Sequence, residues 1–147
     1  MTVRPQLNLR ALSQAYKALG DETRLQMLAL LLAGGELCVC RFEAALSIGQ
    51  SKASRHLRYL LNAGLLQDRR EGVWVHYRIA AELSPELSAV VASVEEAFGE
   101  EELALLRADL EASAPADGQE GGAGVSGSTG AGATVAGAQG CDASCGS

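Results

Sequence analysis

Between Leu37 and Ile79 the chain carries a short helical segment, a glycine-containing turn, a second helix rich in Ser, Lys, Arg and His, and two strand-like runs joined at Glu71-Gly72. That order predicts a mainly α fold with a small β-hairpin, a winged helix-turn-helix whose second helix enters a DNA groove with the hairpin beside it. The charge pattern agrees. The 147 residues sum to a net charge of −6, yet Gln50 to Arg78 hold six bases (Lys52, Arg55, Arg58, Arg69, Arg70, Arg78) against two acids, Asp68 and Glu71. From Glu82 to Glu120 eleven acids face one base, Arg107. An acidic total therefore conceals a basic block at the place where nucleic acid would bind.

The elements follow in order. Leu9, Leu12, Tyr16 and Leu19 recur at helical spacing and predict a first amphipathic helix over Leu7 to Gly20, with Gly20 as its stop. Asp21 is placed to cap a second helix, Glu22 to Ala33, whose Leu25, Leu28, Leu31 and Leu32 form a broad apolar face before Gly34-Gly35 ends it. Leu37 to Leu46 fits a third helix and Ser47-Ile48-Gly49 a tight turn. Gln50 to Asn62 fits a fourth helix that buries Leu57, Leu60 and Leu61. Leu65 to Arg70 and Val73 to Ile79 are expected to pair as the wing.

From Ser84 to Ala112 the helical pattern returns, with Leu87, Val90, Val91, Val94, Phe98, Leu103, Leu106 and Leu110 recurring and Gly99 placed to kink or divide the segment. A stripe of this kind outside the compact core calls for a partner surface. Pairing with its copy, together with the first helix, predicts a two-fold homodimer. Residues 1–112 are thus expected to form a DNA-binding and dimerisation domain. Residues 113–147, rich in Gly, Ala and Ser and without lysine, arginine or aromatic residues, are expected to be disordered, because they bury too little surface to offset ordering entropy.

On the fourth helix Gln50, Ser51, Lys52, Ser54, Arg55 and His56 are the candidates for base-edge and phosphate contact, while Arg69, Arg70 and Arg78 of the wing are placed for backbone or minor groove. Trp74 and Tyr77 are better suited to packing the hairpin. A solvated basic helix and hairpin with no ligand is the plain alternative. It leaves unexplained why both basic elements occur in the expected order.

Two cysteines one residue apart, Cys38 and Cys40, stand about ten residues before the fourth helix. Thiolates select soft ions and are favoured at a helix N-terminus, which suits the pair to As(III), Sb(III) or a soft divalent metal. Residues two apart on an α-helix point about 200° apart, whereas in extended chain they share a face. Both sulfurs are therefore expected to reach one ion only if the first turn of the third helix is unwound or was never helical. Cys141 and Cys145 are candidates for a further thiolate. The plain alternative for Cys38 and Cys40 is a pair of small buried hydrophobes.

The longest apolar stretch, Leu25 to Ala33, is too short to cross a bilayer, and the N-terminus lacks a secretory core. A cytoplasmic protein whose cysteines remain thiols is expected, with no membrane partner. A thiol-reductase enzyme would want a C-x-x-C pair, which the chain lacks.

Glu36-Leu37-Cys38-Val39-Cys40, Ser51-Lys52-Ala53-Ser54-Arg55-His56-Leu57, Ala63-Gly64-Leu65-Leu66 and Arg69-Arg70-Glu71-Gly72-Val73-Trp74-Val75-His76-Tyr77 closely resemble the ArsR/SmtB family of metalloregulatory repressors. Within it they resemble the arsenical-resistance branch, over Leu9 to Phe98. The resemblance implies a homodimeric repressor that binds palindromic double-stranded operator DNA and leaves it when As(III) or Sb(III) is captured by thiolates, with no catalytic cofactor. Many such repressors carry a third cysteine three residues after the second, where this chain has Glu43. The third ligand is then an exogenous thiol, or Cys141 or Cys145. Branches that bind harder metals use histidines on the terminal helix, and His56 and His76 do not lie there. A cadmium- or lead-responsive repressor and a thiol-redox-responsive one are the alternatives within the fold. The redox form would need a Cys38–Cys40 bridge, expected to be strained over so short a span.

Overall fold

The computed structural model describes residues 6–114. These form α1 (Leu9–Leu19), α2 (Glu22–Gly34), β1 (Glu36–Cys38), α3 (Val39–Leu46), α4 (Gln50–Asn62), β2 (Leu66–Glu71), β3 (Trp74–Ile79) and α5 (Pro85–Ala112). Cys141, Cys145 and the expected disordered tail fall almost wholly outside the described residues.

Local chemistry sets the boundaries. The Asn8 side chain accepts the Ala11 N–H at 3.0 Å at the head of α1, and Asp21 accepts the Arg24 N–H at 3.2 Å at the head of α2. Each occupies a cap position that satisfies an otherwise orphaned donor. Helix α2 is the central element, with Met27, Leu28, Ala29, Leu30, Leu31 and Ala33 all buried, so its nearly continuous apolar sequence is a core helix rather than a one-sided one. Against it pack α5, α4 and the sheet.

The sheet has three antiparallel strands in the order β1-β3-β2. Only two were expected. Glu36–Cys38 is too short to show period-two alternation, but its backbone pairs with the free edge of the wing, Leu37 opposite Tyr77 and Cys38 opposite His76. Leu37, Leu66, Val75 and Tyr77 share the core face and are buried. The alternation of strand side chains puts Glu36, Cys38, Arg69, Glu71, Trp74 and His76 on the opposite face. Gly72, at φ 61, takes the first position of the two-residue turn between β2 and β3, the place where such a hairpin admits a left-handed glycine.

Helix α5 departs from the expectation in one respect and meets it in another. Gly99 breaks the helix, with φ 76 and ψ 161. The stripe, however, does not stand outside the core awaiting a partner: Leu87, Val90, Val91, Val94, Leu103 and Leu110 are buried within this chain, chiefly against α2 and α1. The break lets the second half turn back along α2. There Arg107 Nε donates to Ala33 O at 2.9 Å, and Arg41 donates to Leu110 O. Half of the expected stripe of α1 is left uncovered: Leu9 and Tyr16 remain 66% and 59% exposed, while Leu19 is buried with Ala15 and Ala18 and Leu12 packs against the core.

Candidate nucleic-acid interface and cysteine site

Helix α3, a turn through Ser47, and α4 build the helix-turn-helix. Phe42 from α3 and Ala53, Leu57 and Leu60 from α4 fill the core between them, which leaves the opposite side of α4 to solvent. Ser51, Lys52 and Arg55 are exposed there, and Gln50, Ser51, Ser54, Arg55 and Arg58 line a shallow depression along the helix. Five of the six α4 residues singled out from the sequence thus share one accessible side or its rim.

His56 does not join them. Its side chain is only 15% exposed and turns toward α2, with Arg24 Nη1 at 3.4 Å and Asp21 Oδ1 at 3.9 Å from its Nδ1. Burial holds its pKa below the ordinary histidine value, helped by the cations Arg24, Lys52 and Arg55 and opposed by Asp21. The expectation that His56 faces DNA is therefore corrected: one turn along from Lys52, it lies on the flank where α4 meets α2. Arg24 is the residue the sequence reading missed. Its guanidinium donates to Ala18 O and lies 4.2 Å from the Tyr59 ring centroid, joining the end of α1 to α4.

The wing cations divide by face. Arg69 bonds Glu36 of β1 through Nη2 and Glu71 through Nη1 at 2.9 Å. The hydrogen bond to Arg69 is the main cause that holds the Glu36 carboxyl below its usual range, and the same pairing raises the Arg69 pKa. Arg69 is thus engaged in the sheet, whereas Arg70 lies exposed on the other face of the ribbon and Arg78 is exposed near its base.

Cys38 and Cys40 meet at the junction between strand and helix. Cys38 is the last residue of β1 and the N-cap of α3, with φ −78 and ψ 163. Cys40 follows in the first helical turn. One extended residue followed at once by helix turns both side chains to one side, and the two sulfurs are joined as a disulfide across a Cα separation of 5.5 Å. One expectation is corrected by this: the pair is not two free thiols. The Cα separation of the one-residue bridge lies inside the usual range. Of the two conditions expected for the sulfurs to converge, a first turn unwound or one never helical, the structure meets the second, because Cys38 precedes the helix.

A cavity of about 810 Å³ opens beside the pair, walled by Leu37, Trp74 and His76 from the sheet, Ala44 from α3 and Arg107 and Leu110 from α5. Glu43 is not among its wall residues; burial raises its pKa. Among the described residues no group of three or more His, Cys, Asp or Glu is arranged to hold a metal ion, and no helix is long and apolar enough to cross a membrane.

These elements define a winged helix-turn-helix protein with a cysteine pair at the head of its helix-turn-helix. Residues 21–68 match the model described as bacterial regulatory protein, arsR family. The chain is 51% identical over 81 residues to the arsenical resistance operon repressor of Escherichia coli, across 55% of this chain and 66% of that protein. To the protein of the same name from Bacillus subtilis it is 37% identical over 87 residues, across 56% of this chain and 83% of the relative. A solved homodimeric winged helix-turn-helix DNA-binding domain from Mycobacterium bovis superposes with a TM-score of 0.52 at 31% identity, covering 65% of this chain and 89% of that one. The chain belongs to the ArsR family. It spans just under two thirds of the length of the Escherichia coli relative.

Proposed function

We propose that the protein is an arsenite- or antimonite-responsive transcriptional repressor, working in the cytoplasm as a homodimer on double-stranded operator DNA. The observation that carries the reading is the position of the cysteine pair: Cys38 is at once the end of β1 and the cap of the first helix of the helix-turn-helix. Once reduced, Cys38 and Cys40 supply two convergent thiolates for As(III) or Sb(III), with Cys141, Cys145 or an exogenous thiol as third donor. Gln50, Ser51, Lys52, Ser54, Arg55 and Arg70 face the DNA, and Arg69 joins them if its bonds to β1 and Glu71 open. The exposed Leu9 and Tyr16 of α1 favour dimerisation through that helix. A coupling of about 1–3 kcal/mol between ion and DNA would lower operator affinity about 5–150-fold.

The disulfide favours a second reading, a repressor whose DNA affinity follows thiol oxidation. Fluorescence anisotropy on duplex DNA from upstream of the gene separates the two. Arsenite is expected to release the reduced wild type and to leave Cys38→Ser/Cys40→Ser bound. Release by a disulfide-forming oxidant, with arsenite inert, favours the redox reading. Absence of binding by the reduced protein rejects both.

A further inference from the structure

The cavity beside the cysteine pair, about 810 Å³ in volume, is also the place where the described chain ends. Glu111, Ser113 and Ala114, at the end of α5 and just after it, share its wall with Cys38 and Cys40. The two cysteines are half-buried rather than enclosed, which leaves their bridge open to a thiolate. Cys141 and Cys145 follow 27 and 31 residues beyond Ala114. A stretch of 27 residues reaches up to about 90 Å, so chain length does not keep these sulfurs from the pair.

Size and charge fit the same occupant. Gly140 to Ser147 hold only Gly, Ala, Ser, Cys and one acid, Asp142, which lies between the two cysteines. Arg41 and Arg107 stand in the cavity wall, each giving an N–H to a carbonyl, Leu110 O and Ala33 O. Among the described residues neither is paired with a carboxylate, and a guanidinium has five donors, so both keep N–H groups for one. Of the acids in the same wall, Glu36 and Glu71 are taken up by Arg69, which leaves Glu111.

We propose that the segment carrying Cys141 and Cys145 docks in this cavity, with Asp142 toward Arg41 and Arg107, and exchanges its thiols with the Cys38–Cys40 disulfide. A thiolate of the segment attacks one sulfur of the bridge, and the other sulfur leaves as a thiolate at the N-terminus of α3, where the helix end favours it. The second thiolate of the segment then attacks the mixed disulfide and releases the remaining sulfur of the pair. One S–S bond is broken and one, Cys141–Cys145, is formed. Two electrons pass to the pair, and the two protons lost by the attacking thiols are taken up by the released ones. The segment is thus a reductant built into the chain, and the exchange holds whether the pair answers to an ion or to oxidation.

The test measures how readily one sulfur of the segment bridges to one of the pair. Full-length Cys40→Ser/Cys145→Ser keeps only Cys38 and Cys141, and is equilibrated in glutathione buffer, alkylated and mapped by mass spectrometry. The reference is Cys38→Ser/Cys40→Ser/Cys145→Ser/Ser51→Cys, which moves the acceptor to an exposed position in the first turn of α4, away from the cavity. A tether alone gives an effective concentration in the millimolar range; docking is expected to raise the Cys38–Cys141 value about tenfold or more above the reference. Ala44 lines the cavity and is exposed on α3, so adding Ala44→Phe should return the value to that of the reference, while Ala44→Ser keeps it. Restoring Cys145, as in Cys40→Ser alone, should move the bridge to Cys141–Cys145 in most chains, since the shorter loop closes at lower entropic cost. Equal values for the two acceptors, or an advantage that survives Ala44→Phe, overturns the docking. A bridge that stays on Cys38 when Cys145 is present overturns the exchange. A Cys38–Cys141 bridge found between two chains, seen as a dimer on a non-reducing gel, overturns the assignment of the cavity to the chain's own segment.

Discussion

Phe42→Ala is the perturbation whose size the structure fixes best. The ring is fully buried and meets Tyr77 edge-on, with centroids 6.4 Å apart and planes at 76°. It is the bolt between α3, which begins at the cysteine pair, and β3, the central strand of the sheet. Truncating a fully buried Phe to Ala costs about 3–5 kcal/mol in lost transfer energy and residual cavity, of which the edge-to-face contact is about 0.5–1.5 kcal/mol. Against a domain stability of about 5–15 kcal/mol this is a large share. At roughly 4 °C or more per kcal/mol for a domain of this size, the melting temperature should fall by at least about 12 °C. Phe42→Leu, which keeps most of the volume, should lose only about 1–2 kcal/mol. Urea denaturation followed by circular dichroism at one fixed protein concentration measures both, since association makes the midpoint concentration-dependent. A loss under about 1 kcal/mol for Phe42→Ala at unchanged m-value would refute the argument that this ring holds α3 to the sheet.

Three further perturbations test other parts. Lys52→Ala and Arg55→Ala, on the exposed side of α4, should each weaken operator binding, and removing a cation that neutralises one phosphate should reduce the salt slope by about 0.9; unchanged affinity in both would move the DNA surface off α4. Burial keeps the His56 pKa below that of the unfolded chain, so its contribution is full above about pH 6.5 and is lost as the unfolded state takes up a proton on acidification below it. His56→Gln should therefore flatten the fall in stability between pH 7.5 and 5.5, and an unaltered pH dependence counts against the buried placement. Gly99 holds φ 76 with no atom near its missing Cβ, so Gly99→Ala meets backbone strain alone, about 1–3 kcal/mol. Relief by straightening would lift the second half of α5 from α2, seen as faster amide exchange over residues 100–112 and a shift in Trp74 emission; protection equal to wild type would show that the break does not depend on glycine.

What the sequence made legible were the elements with long periodic signals or defined stops. Helix α4 runs over the expected span, Asp21 and Gly20 act where their chemistry placed them, and Glu71-Gly72 marks the wing turn. Glu36–Cys38 was not legible, because three residues carry no period and their strand character comes entirely from pairing with β3. The return of α5 along α2 escaped for a related reason. A glycine announces a break but not its direction, which is set by burial of Leu103 and Leu110 and by the bonds of Arg41 and Arg107. His56 has the composition of a DNA contact, and only the arrangement of Asp21 and Arg24 across the helix pair turns it inward. The convergence of Cys38 and Cys40 depends on where the helix begins, a one-residue matter at the edge of what pattern can locate.

Strand β1 ties these parts together. Cys38 ends it and caps α3, while Glu36, two residues upstream on the same face, holds Arg69 of the wing. A displacement of β1 therefore acts on the helix-turn-helix through α3 and on the wing through the Glu36–Arg69 pair. Convergence of the sulfurs does not by itself account for DNA release, because a ligand shifts an equilibrium only as far as its affinities for the two states differ. If an ion at the pair is to expel DNA, it must favour a placement of β1 and α3 other than the one the operator favours. Linkage then runs both ways: operator-bound protein must hold the ion more weakly than free protein, by the same factor by which the ion weakens DNA binding.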